Sequence, residues 1–285
     1  MSETLMFLET LYQRSADGWI SLTAIHPTDD CSSPSRHIEL GDIDNLQAAL
    51  GDLREANKDG WGAYVGIGLR HECLGRWRRG GKQDVAELPA LYVDLDTPDQ
   101  MVQLIEVQIP PSCIVSSGRG MHVYWYIEPT RNLSFADRIL AGMTQLLDSD
   151  SMTVAQSMRL PGFVNTKSDC GKLCVIKQHQ PERVYTLQDF SRFAIARQRP
   201  TPPPPNARPT IERVTEHLLY AYDGYMKPNG WMAARCPLEH CRDRPGMHFN
   251  FHPEFGVGHC FGRHGSLSLG ELCDVLGIRV YTAEN

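Results

Sequence analysis

The chain has 285 residues, of which 41% are hydrophobic and 22% charged, and its formal net charge is −6. A single domain usually takes about 100–200 residues, so this length favours one sizeable core with a smaller second domain. No apolar run approaches the roughly 18 residues of a membrane span, and the N-terminal segment lacks the basic flank and cleavage site of a secretory signal. The composition predicts a soluble, cytoplasmic protein, and it excludes binding to nucleic acid through overall charge.

The nine cysteines are expected to be thiols or metal ligands and not disulfides, because the cytosol is kept reducing. Cys170 and Cys174 are four apart but have no second pair nearby, so we interpret them as ordinary thiols. Three further cysteines, Cys236, Cys241 and Cys260, lie near the C-terminus among several histidines.

Short runs of β-branched and aromatic residues alternate with helical patterns through the first two thirds of the chain. Strands are predicted at GAYVGIGLR, ALYVDLD, CIVSSG and HVYWYIE, which span 62–70, 90–96, 113–118 and 122–128. A helix is predicted over 134–150 with Ser134 as its N-cap. This order predicts an α+β fold with a mixed or antiparallel sheet.

The segment RQRPTPPPPNARP predicts a domain boundary, because a proline run favours an extended spacer that continues neither a helix nor a sheet. We therefore predict a larger domain over 1–196, a linker over 197–210 and a smaller domain over 211–285. The smaller domain is expected to open with an amphipathic helix over 211–225.

Two carboxylates two residues apart end an apolar strand in the sequence LYVDLDTPD. Asp94 and Asp96 are predicted to share one face of that strand, because successive side chains of a strand alternate between faces. Two like charges held together favour a bound Mg²⁺ or Mn²⁺, and such a pair is the core of two-metal phosphoryl transfer. The alternative interpretation is an acidic, proline-containing turn without a metal.

A serine- and glycine-rich turn, SSGRG, separates the next two predicted strands. Its backbone N–H groups and hydroxyls are suited to phosphate oxygens, and its glycines permit close approach of a ligand. A histidine follows at the start of the next strand, although an ordinary hairpin would have the same pattern. The nucleotide contacts expected here are Ser116, Ser117, Gly118, Arg119 and His122.

The segment MRLPGFVNTK places Arg159, Asn165 and Lys167 around a Pro-Gly turn, where basic residues suit phosphate or template contacts. An ordinary surface turn is the alternative. Just upstream, Asp148 and Asp150 are both available as the third acid of a carboxylate triad.

The loop GRWRRGGK resembles a phosphate-binding Walker A loop only in part, because Lys82 is followed by Gln83 where that motif requires Ser or Thr. We interpret the loop as a charged and stacking surface for nucleic acid or triphosphate, with a solvated loop as the alternative. The residues expected to contribute are Arg76, Trp77, Arg78, Arg79 and Lys82.

The C-terminal region contains two short ligand pairs, CPLEHC at 236–241 and CFGRH at 260–264. This spacing is typical of a structural zinc site closed by four ligands. The predicted ligands are Cys236, Cys241, Cys260 and His264, with His240 as the main substitute for Cys241.

The Cys-Pro start and the His-Cys-Phe-Gly knuckle of this region resemble the zinc-binding module of bacterial replicative primases, and this resemblance implies contacts with template DNA, for which its charged and aromatic side chains are suited. A purely structural clip is the alternative. The residues considered for DNA contact are Arg235, Arg242, Arg244, His248, Phe249 and Phe251.

The order LYVDLD, SSGRGMHVYW and MRLPGFVNTK resembles the archaeo-eukaryotic primase superfamily, especially its plasmid, phage and mobile-element primase-polymerase branch. The resemblance covers roughly residues 60–190. It implies an RRM-like half in the catalytic domain, metal ligation by Asp94 and Asp96, and a nucleotide-associated His122. Arg159 and Lys167 match the basic positions of the family, and spacing favours Asp148 as the third acid, with Asp150 left open.

The C-terminal region is similar to the zinc-binding module of bacterial replicative primases, although Arg263 and His264 stand where that family often has a final Cys. Together the resemblances imply a DNA primase or primase-polymerase that uses nucleoside triphosphates, two Mg²⁺ or Mn²⁺ ions and one structural Zn²⁺ on a single-stranded DNA template. They also imply replication of a plasmid, phage or other mobile element. No helicase motif is present, so a separate helicase or replication initiator is expected as a partner.

Two other functions remain open from the sequence. One is a gap-filling or translesion polymerase that extends primers without starting them. The other is a non-catalytic DNA-binding replication initiator in which the acidic pair holds a metal only structurally.

Overall fold

A computed structural model describes residues 2–28, 32–167, 170–195, 207–241, 246–261 and 265–279. The chain divides into two units, Met1–Ala196 and Arg197–Asn285, each with its own hydrophobic core. No helix among the described residues is long and apolar enough to cross a membrane.

The first unit combines strands and helices along the whole of its length. Its helices are α1 (Glu3–Tyr12), α2 (Ile43–Lys58), α3 (Pro98–Gln103) and α4 (Leu133–Leu146). Its strands are β1 (Trp19–Ile25), β2 (Ser35–Glu39), β3 (Gly62–Arg70), β4 (Val85–Leu95), β5 (Cys113–Ser116), β6 (Met121–Thr130), β7 (Ser157–Arg159), β8 (Val175–His179) and β9 (Val184–Tyr185).

The described strands of the first unit form one nine-stranded sheet with the order β2-β1-β3-β4-β6-β5-β8. In addition, β7 pairs with β3 and β9 pairs with β6. All of these pairs are antiparallel except the parallel pair β6–β9. The predicted α+β class with a mixed, mainly antiparallel sheet is confirmed.

The long strand β3 has two neighbours along one of its edges. It pairs with β4 only at Leu69 and Arg70, whereas β7 lies beside its opposite end, from Tyr64 to Gly66. The other edge of β3 is occupied by β1. Strands β4 and β7 therefore lie along the same edge of β3, and this brings Arg159, the first residue of the RLPG motif, onto the sheet that carries the acidic strand.

The alternation of β4 determines which of its residues enter the core. Leu91, Val93 and Leu95 are completely buried on one face, while Tyr92 is completely buried on the other. Burying an aliphatic side chain of this size stabilises a fold by about 1.5–3 kcal/mol. The three buried side chains therefore determine which residues of β4 face each side of the sheet. Asp94 shares the face of Tyr92.

The helix expected over 134–150 is α4, which begins and ends earlier than predicted. Its N-cap is Asn132 and not Ser134, because the Asn132 side chain accepts a hydrogen bond from the N–H of Phe135. The helix ends at Leu146, so Asp148 and Asp150 follow it and are not part of it.

The second unit contains α5 (Arg208–Ala221), α6 (Leu269–Leu276) and a five-stranded antiparallel sheet. The strands, in sheet order, are β10 (Tyr225–Met226), β11 (Met232–Ala234), β12 (Phe249–His252), β13 (Val257–Cys260) and β14 (Gly265–Leu267). Residues 197–206 of the predicted linker lie outside the described residues. Its predicted end at residue 210 is wrong, because α5 begins at Arg208 with Pro209 in its first turn, where a missing N–H costs nothing.

Alanine substitutions at two helical glycines are predicted to change the stability of the protein in opposite directions. A Cβ at Gly142 in α4 would overlap the carbonyl oxygen of Phe193, whereas a Cβ at Gly51 in α2 meets no atom within 4 Å. The Phe193 segment is attached to α4 by a 2.9 Å hydrogen bond from Nε of Arg138 to the Ile195 carbonyl, so it cannot move away freely. Gly142→Ala should destabilise the protein by about 3 kcal/mol, and Gly51→Ala should stabilise it by about 0.5–1 kcal/mol.

Urea unfolding of both variants beside the wild type measures these changes. Equal effects of the two substitutions would contradict the close packing of α4 against the 187–193 segment.

Candidate active site and metal sites

Asp94 lies at the end of β4, directly opposite His122 on β6. Its Oδ1 is 3.6 Å from Nε2 of His122, and the two side chains are 27% and 4% exposed. Oδ1 is itself buried and has no hydrogen-bond partner among the described residues. A buried carboxylate oxygen without a partner is costly, so it favours a ligand that the structure does not contain.

The electrostatic surroundings of Asp94 combine both signs of charge. Burial, followed by the charges of Asp96 and Asp150, raises the pKa of Asp94 to about 7. Lys167 and Arg159 act in the opposite direction. The site therefore holds more negative charge near Asp94 than its basic residues offset, and a divalent cation would supply the difference.

The imidazole of His122 is neutral in this setting. Burial, followed by the charges of Arg159 and Lys167, lowers its pKa to about 3. The hydroxyl of Tyr124 lies 3.4 Å from Nδ1, and Nε2 is the ring atom that faces Asp94. In a neutral imidazole one ring nitrogen donates and the other accepts, and the tautomer sets which of them donates. The contact between His122 and Asp94 is accordingly not an ion pair.

The turn between β5 and β6 lies against the acidic strand. A Cβ at Gly120 would overlap the carbonyl oxygen of Leu95 and stand 3.0 Å from Cα of Asp96. The N–H of Ser117 donates to the Gly120 carbonyl at 2.9 Å and closes the turn. Only glycine at this position allows the phosphate-binding candidate turn to approach Asp96 so closely.

The other predicted residues of this turn differ in exposure. Ser116 is the half-buried last residue of β5, Ser117 is buried, and Arg119 is exposed. Gly118 has a φ of +94°, a conformation that favours glycine.

Asn165 joins the turn to the segment that carries Lys167. Its Nδ2 donates to the carbonyl of Ser117 at 2.7 Å, and its Oδ1 accepts from the N–H of Lys167 at 3.1 Å. Asn165 is buried, so it is placed to position Lys167 more directly than to contact a nucleotide.

Arg159 is the last residue of β7 and is held by an aromatic ring. Its guanidinium carbon lies 4.7 Å from the ring centroid of Tyr64, its partner across the strand pair. Arg159 is buried, and its charge acts on both Asp94 and His122. The cation–π contact keeps the guanidinium in place beside the acidic strand.

The two acids left open by the sequence have different surroundings. Asp150 is one of the charges that raise the pKa of Asp94, and Asp148 is not. Asp148 has a left-handed backbone with a φ of +46°, and its carbonyl accepts a hydrogen bond from Nε2 of Gln100. Gln100 also accepts from the N–H of Asp96 at 2.7 Å, so this contact attaches the end of α4 to the acidic strand. The geometry favours Asp150 as the third acid.

The cations of the loop 75–82 have different partners. The Arg76 guanidinium stacks on Trp77, whose ring is exposed, while Arg78 pairs with Asp84 at 3.5 Å. Nζ of Lys82 pairs with Asp137 at 2.6 Å. Arg79 lines a cavity that is described below.

In the second unit, three cysteines and one histidine lie together. The sulfur atoms of Cys236 and Cys260 are 3.5 Å apart, and those of Cys241 and Cys260 are 3.7 Å apart. Ligand atoms of Cys236, Cys241 and His248 all lie within 4.8 Å of one another, and Nε2 of His248 is buried without a hydrogen-bond partner. Three thiols and an orphaned imidazole nitrogen form a donor set that fits Zn²⁺.

His248 is the residue that sequence reasoning assigned to a different task. It was considered for DNA contact, and the register of the sheet explains why it reaches the cysteines: its carbonyl accepts from the N–H of Phe261, next to Cys260. The predicted ligand His264, the side chain of the substitute His240, and the predicted DNA contacts Arg242 and Arg244 lie outside the described residues.

Two further residues considered for DNA contact are not accessible. Phe249 and Phe251 are completely buried in the core of the second unit and are not available for stacking. Arg235 is exposed and pairs with Asp223 at 2.8 Å.

Solved structures resemble the chain, whereas neither a family model nor a curated protein sequence matches it. The AEP domain of the primase-polymerase (PrimPol) of cyanophage S-2L superposes with a TM-score of 0.52 and 18% identity, over 68% of this chain and 97% of that one. The described α+β architecture thus has the fold of a primase catalytic domain.

Two structures of primase RepB′ are also similar. One has a TM-score of 0.46 at 14% identity, over 62% of this chain and 57% of that one. The other, the catalytic domain in complex with initiator DNA, has a TM-score of 0.45 at 16% identity, over 63% and 87%.

Asp94→Asn should raise the melting temperature without metal and reduce the further rise that Mn²⁺ produces. Without metal, the amide removes a buried charge that lies near Asp96 and Asp150, so the melting temperature should rise. With Mn²⁺ at 100 times its Kd, the wild type should gain about 5–10 °C and the variant should gain little. Thermal unfolding in EDTA and in Mn²⁺ measures both effects, with exposed Asp99→Asn as the control. An undiminished Mn²⁺ shift in the Asp94 variant would rule out this metal site.

The zinc hypothesis can be tested at His248. His248→Ala should lose zinc to a chelator at a concentration that wild type withstands, because it removes one of the proposed ligands. Metal content of the purified proteins by mass spectrometry measures the loss, and zinc retained by His248→Ala as firmly as by the wild type would contradict ligation by His248. His264→Ala, measured in the same way, tests the ligand predicted from the sequence.

Proposed function

We propose that this chain is a DNA-directed nucleotidyltransferase that synthesises primers on single-stranded DNA, as a primase or primase-polymerase. The observation that carries the proposal is the unpartnered, buried Oδ1 of Asp94, with acidic charge from Asp96 and Asp150 and basic charge from Arg159 and Lys167 acting on it. This arrangement suits a substrate that is both a metal chelator and a polyanion.

A nucleoside triphosphate has these two properties. Asp94, Asp96 and Asp150 would hold two divalent ions, and Arg159 and Lys167 would contact the phosphates. When bound, Mg²⁺ or Mn²⁺ would activate a 3′-hydroxyl and offset charge on the pyrophosphate leaving group. The chain itself excludes water from one side of the carboxylates through the buried Tyr92 and Tyr124.

The neutral His122 has a distinct part in this proposal. In the tautomer in which Nδ1 accepts from Tyr124, Nε2–H would donate to a phosphate oxygen beside the metal ligands. The turn at Ser116–Gly120 would supply further hydroxyl and backbone donors. These residues orient the triphosphate without adding another positive charge.

The fold shared with the cyanophage primase-polymerase domain supports this assignment, and the geometry of the acidic strand extends it to chemistry. We further propose that zinc held by Cys236, Cys241, Cys260 and His248 stabilises the second unit, which would contact the template. The natural setting would be replication of a plasmid, phage or other mobile element, with a separate helicase or initiator.

Primer-free synthesis tests the proposal directly. The purified protein is incubated with single-stranded DNA, labelled nucleoside triphosphates and Mg²⁺ or Mn²⁺, with and without an annealed primer. Asp94→Asn and Asp150→Asn should each lower the rate of incorporation by at least about 10²-fold, which is about 2.7 kcal/mol of transition-state stabilisation. Asp148→Asn is the matched control and should stay within a few-fold of the wild type.

Each pattern of products has a definite meaning. Products without a primer that disappear with Asp94→Asn support a primase. Products only with a primer would replace it by the gap-filling polymerase, and DNA binding without any incorporation would replace it by the non-catalytic initiator. Equal losses in the Asp148 and Asp150 variants would contradict the choice of the third acid.

A further inference from the structure

A completely buried arginine lies outside the acidic site. Arg70, at the end of β3, is 0% exposed, and its Nε and Nη1 have no hydrogen-bond partner within the described part of the chain. Its Nη2 makes one long contact of 3.5 Å with the carbonyl of Ala155. Arginine stays protonated in proteins, so this is a buried and poorly compensated positive charge.

The guanidinium of Arg70 lies directly behind the wall of a cavity. A Cβ on Gly80 would stand 3.1 Å from its Nε, and both Gly80 and Ala155 line that cavity. The cavity has a volume of about 530 Å³, within the roughly 300–1,000 Å³ that small-ligand sites usually have. One wall is formed by residues 79–82 and the other by residues between Thr153 and Ser157.

The two walls are joined by one carboxylate. Asp137 accepts from Nζ of Lys82 at 2.6 Å and from the N–H of Val154 at 2.9 Å. This bridge fixes the loop 79–82 relative to the segment 153–157, so the cavity is a built feature and not a gap beside a free loop. Because Asp137 offsets the charge of Lys82, Arg79 is the residue that brings positive charge to the lining, in addition to Arg70 behind it.

We propose that this cavity binds a phosphate group of the nucleic-acid strand, with Arg79 contacting the phosphate and Arg70 supplying charge through the thin wall at Gly80. The assignment of the strand rests on the proposed function. The charge of Asp84 acts on Arg70, and a bound phosphate would add a second negative charge that offsets the guanidinium.

The position of the cavity favours a strand phosphate over the incoming triphosphate. Ser157 lines the cavity and is two residues before Arg159 on β7, a separation of roughly 6–7 Å along a strand. Tyr64 also lines the cavity, and its ring makes the cation–π contact with the Arg159 guanidinium. The triphosphate proposed to lie at Arg159 would thus be adjacent to the cavity and not inside it. A nucleic-acid strand that reaches the same metal ligands has further phosphates along its backbone, and one of these would enter the cavity.

Binding of fluorescein-labelled single-stranded DNA to the full chain, measured by anisotropy over a salt series in EDTA, tests this site. Arg79→Ser and Arg70→Met should each reduce the slope of log K against log salt by about 0.7, the value for one phosphate on a single strand. That loss corresponds to about fivefold weaker binding at 0.1 M salt relative to 1 M salt. Arg131→Ser, an exposed arginine that pairs with Asp17 and belongs to none of the sites, is the control and should keep the wild-type slope.

Triphosphate binding and stability complete the test. Affinity for a nucleoside triphosphate with Mg²⁺, measured by calorimetry, should be unchanged in both variants. Arg70→Met should melt at or above the wild-type temperature, because an apolar side chain replaces an unpaired buried charge. If it does not fold, Arg79→Ser still decides the question.

Two results would overturn the proposal. One is a wild-type salt slope in Arg79→Ser and in folded Arg70→Met, and the other is a loss confined to the triphosphate. The DNA assay contains neither nucleotide nor metal, so its outcome is separate from success or failure of primer synthesis.

Discussion

The register between β4 and β6 is the constraint on which the candidate active site depends. It places Asp94 opposite His122 and, one step deeper, Tyr92 opposite Tyr124. A shift of one residue would move Asp94 to the apolar face that holds Leu91, Val93 and Leu95 and would move Tyr92 off the face where it packs, so burial on both faces holds the register. Gly120 adds a steric condition, because any larger residue would push the turn away from Asp96.

A second theme is burial of polar atoms that the chain does not satisfy by itself. Oδ1 of Asp94, Nε2 of His248 and two nitrogens of Arg70 are all buried without a hydrogen-bond partner among the described residues. Each such atom costs folding free energy, and in these three residues a ligand chemistry matches the atom. A divalent ion suits the first, zinc suits the second, and a phosphate suits the third. The same physical cost thus accounts for three proposed sites.

Local patterns predicted much of the fold. The four strands expected around the motifs are β3 to β6, because alternation and β-branched composition act over a few residues. The errors concern boundaries. Asn132 competes with Ser134 for the cap of α4, and Pro209 enters α5 where a proline-rich spacer was expected. Each of these two helix starts depends on a single side chain, and packing of the rest of the helix decides which residue takes the first position.

The sequence by itself determined that Asp94 and Asp96 stand at the end of an apolar strand and that a glycine-rich turn follows. It also determined that two short segments with candidate metal ligands lie near the C-terminus. These are local properties, set by strand parity and by spacing along the chain. The tertiary structure alone showed that Asp150, and not Asp148, acts on the pKa of Asp94, brought His248 to the cysteines and placed Arg70 behind Gly80. Those outcomes depend on sheet register and on contacts between residues distant in sequence, and spacing along the chain carries no information about either.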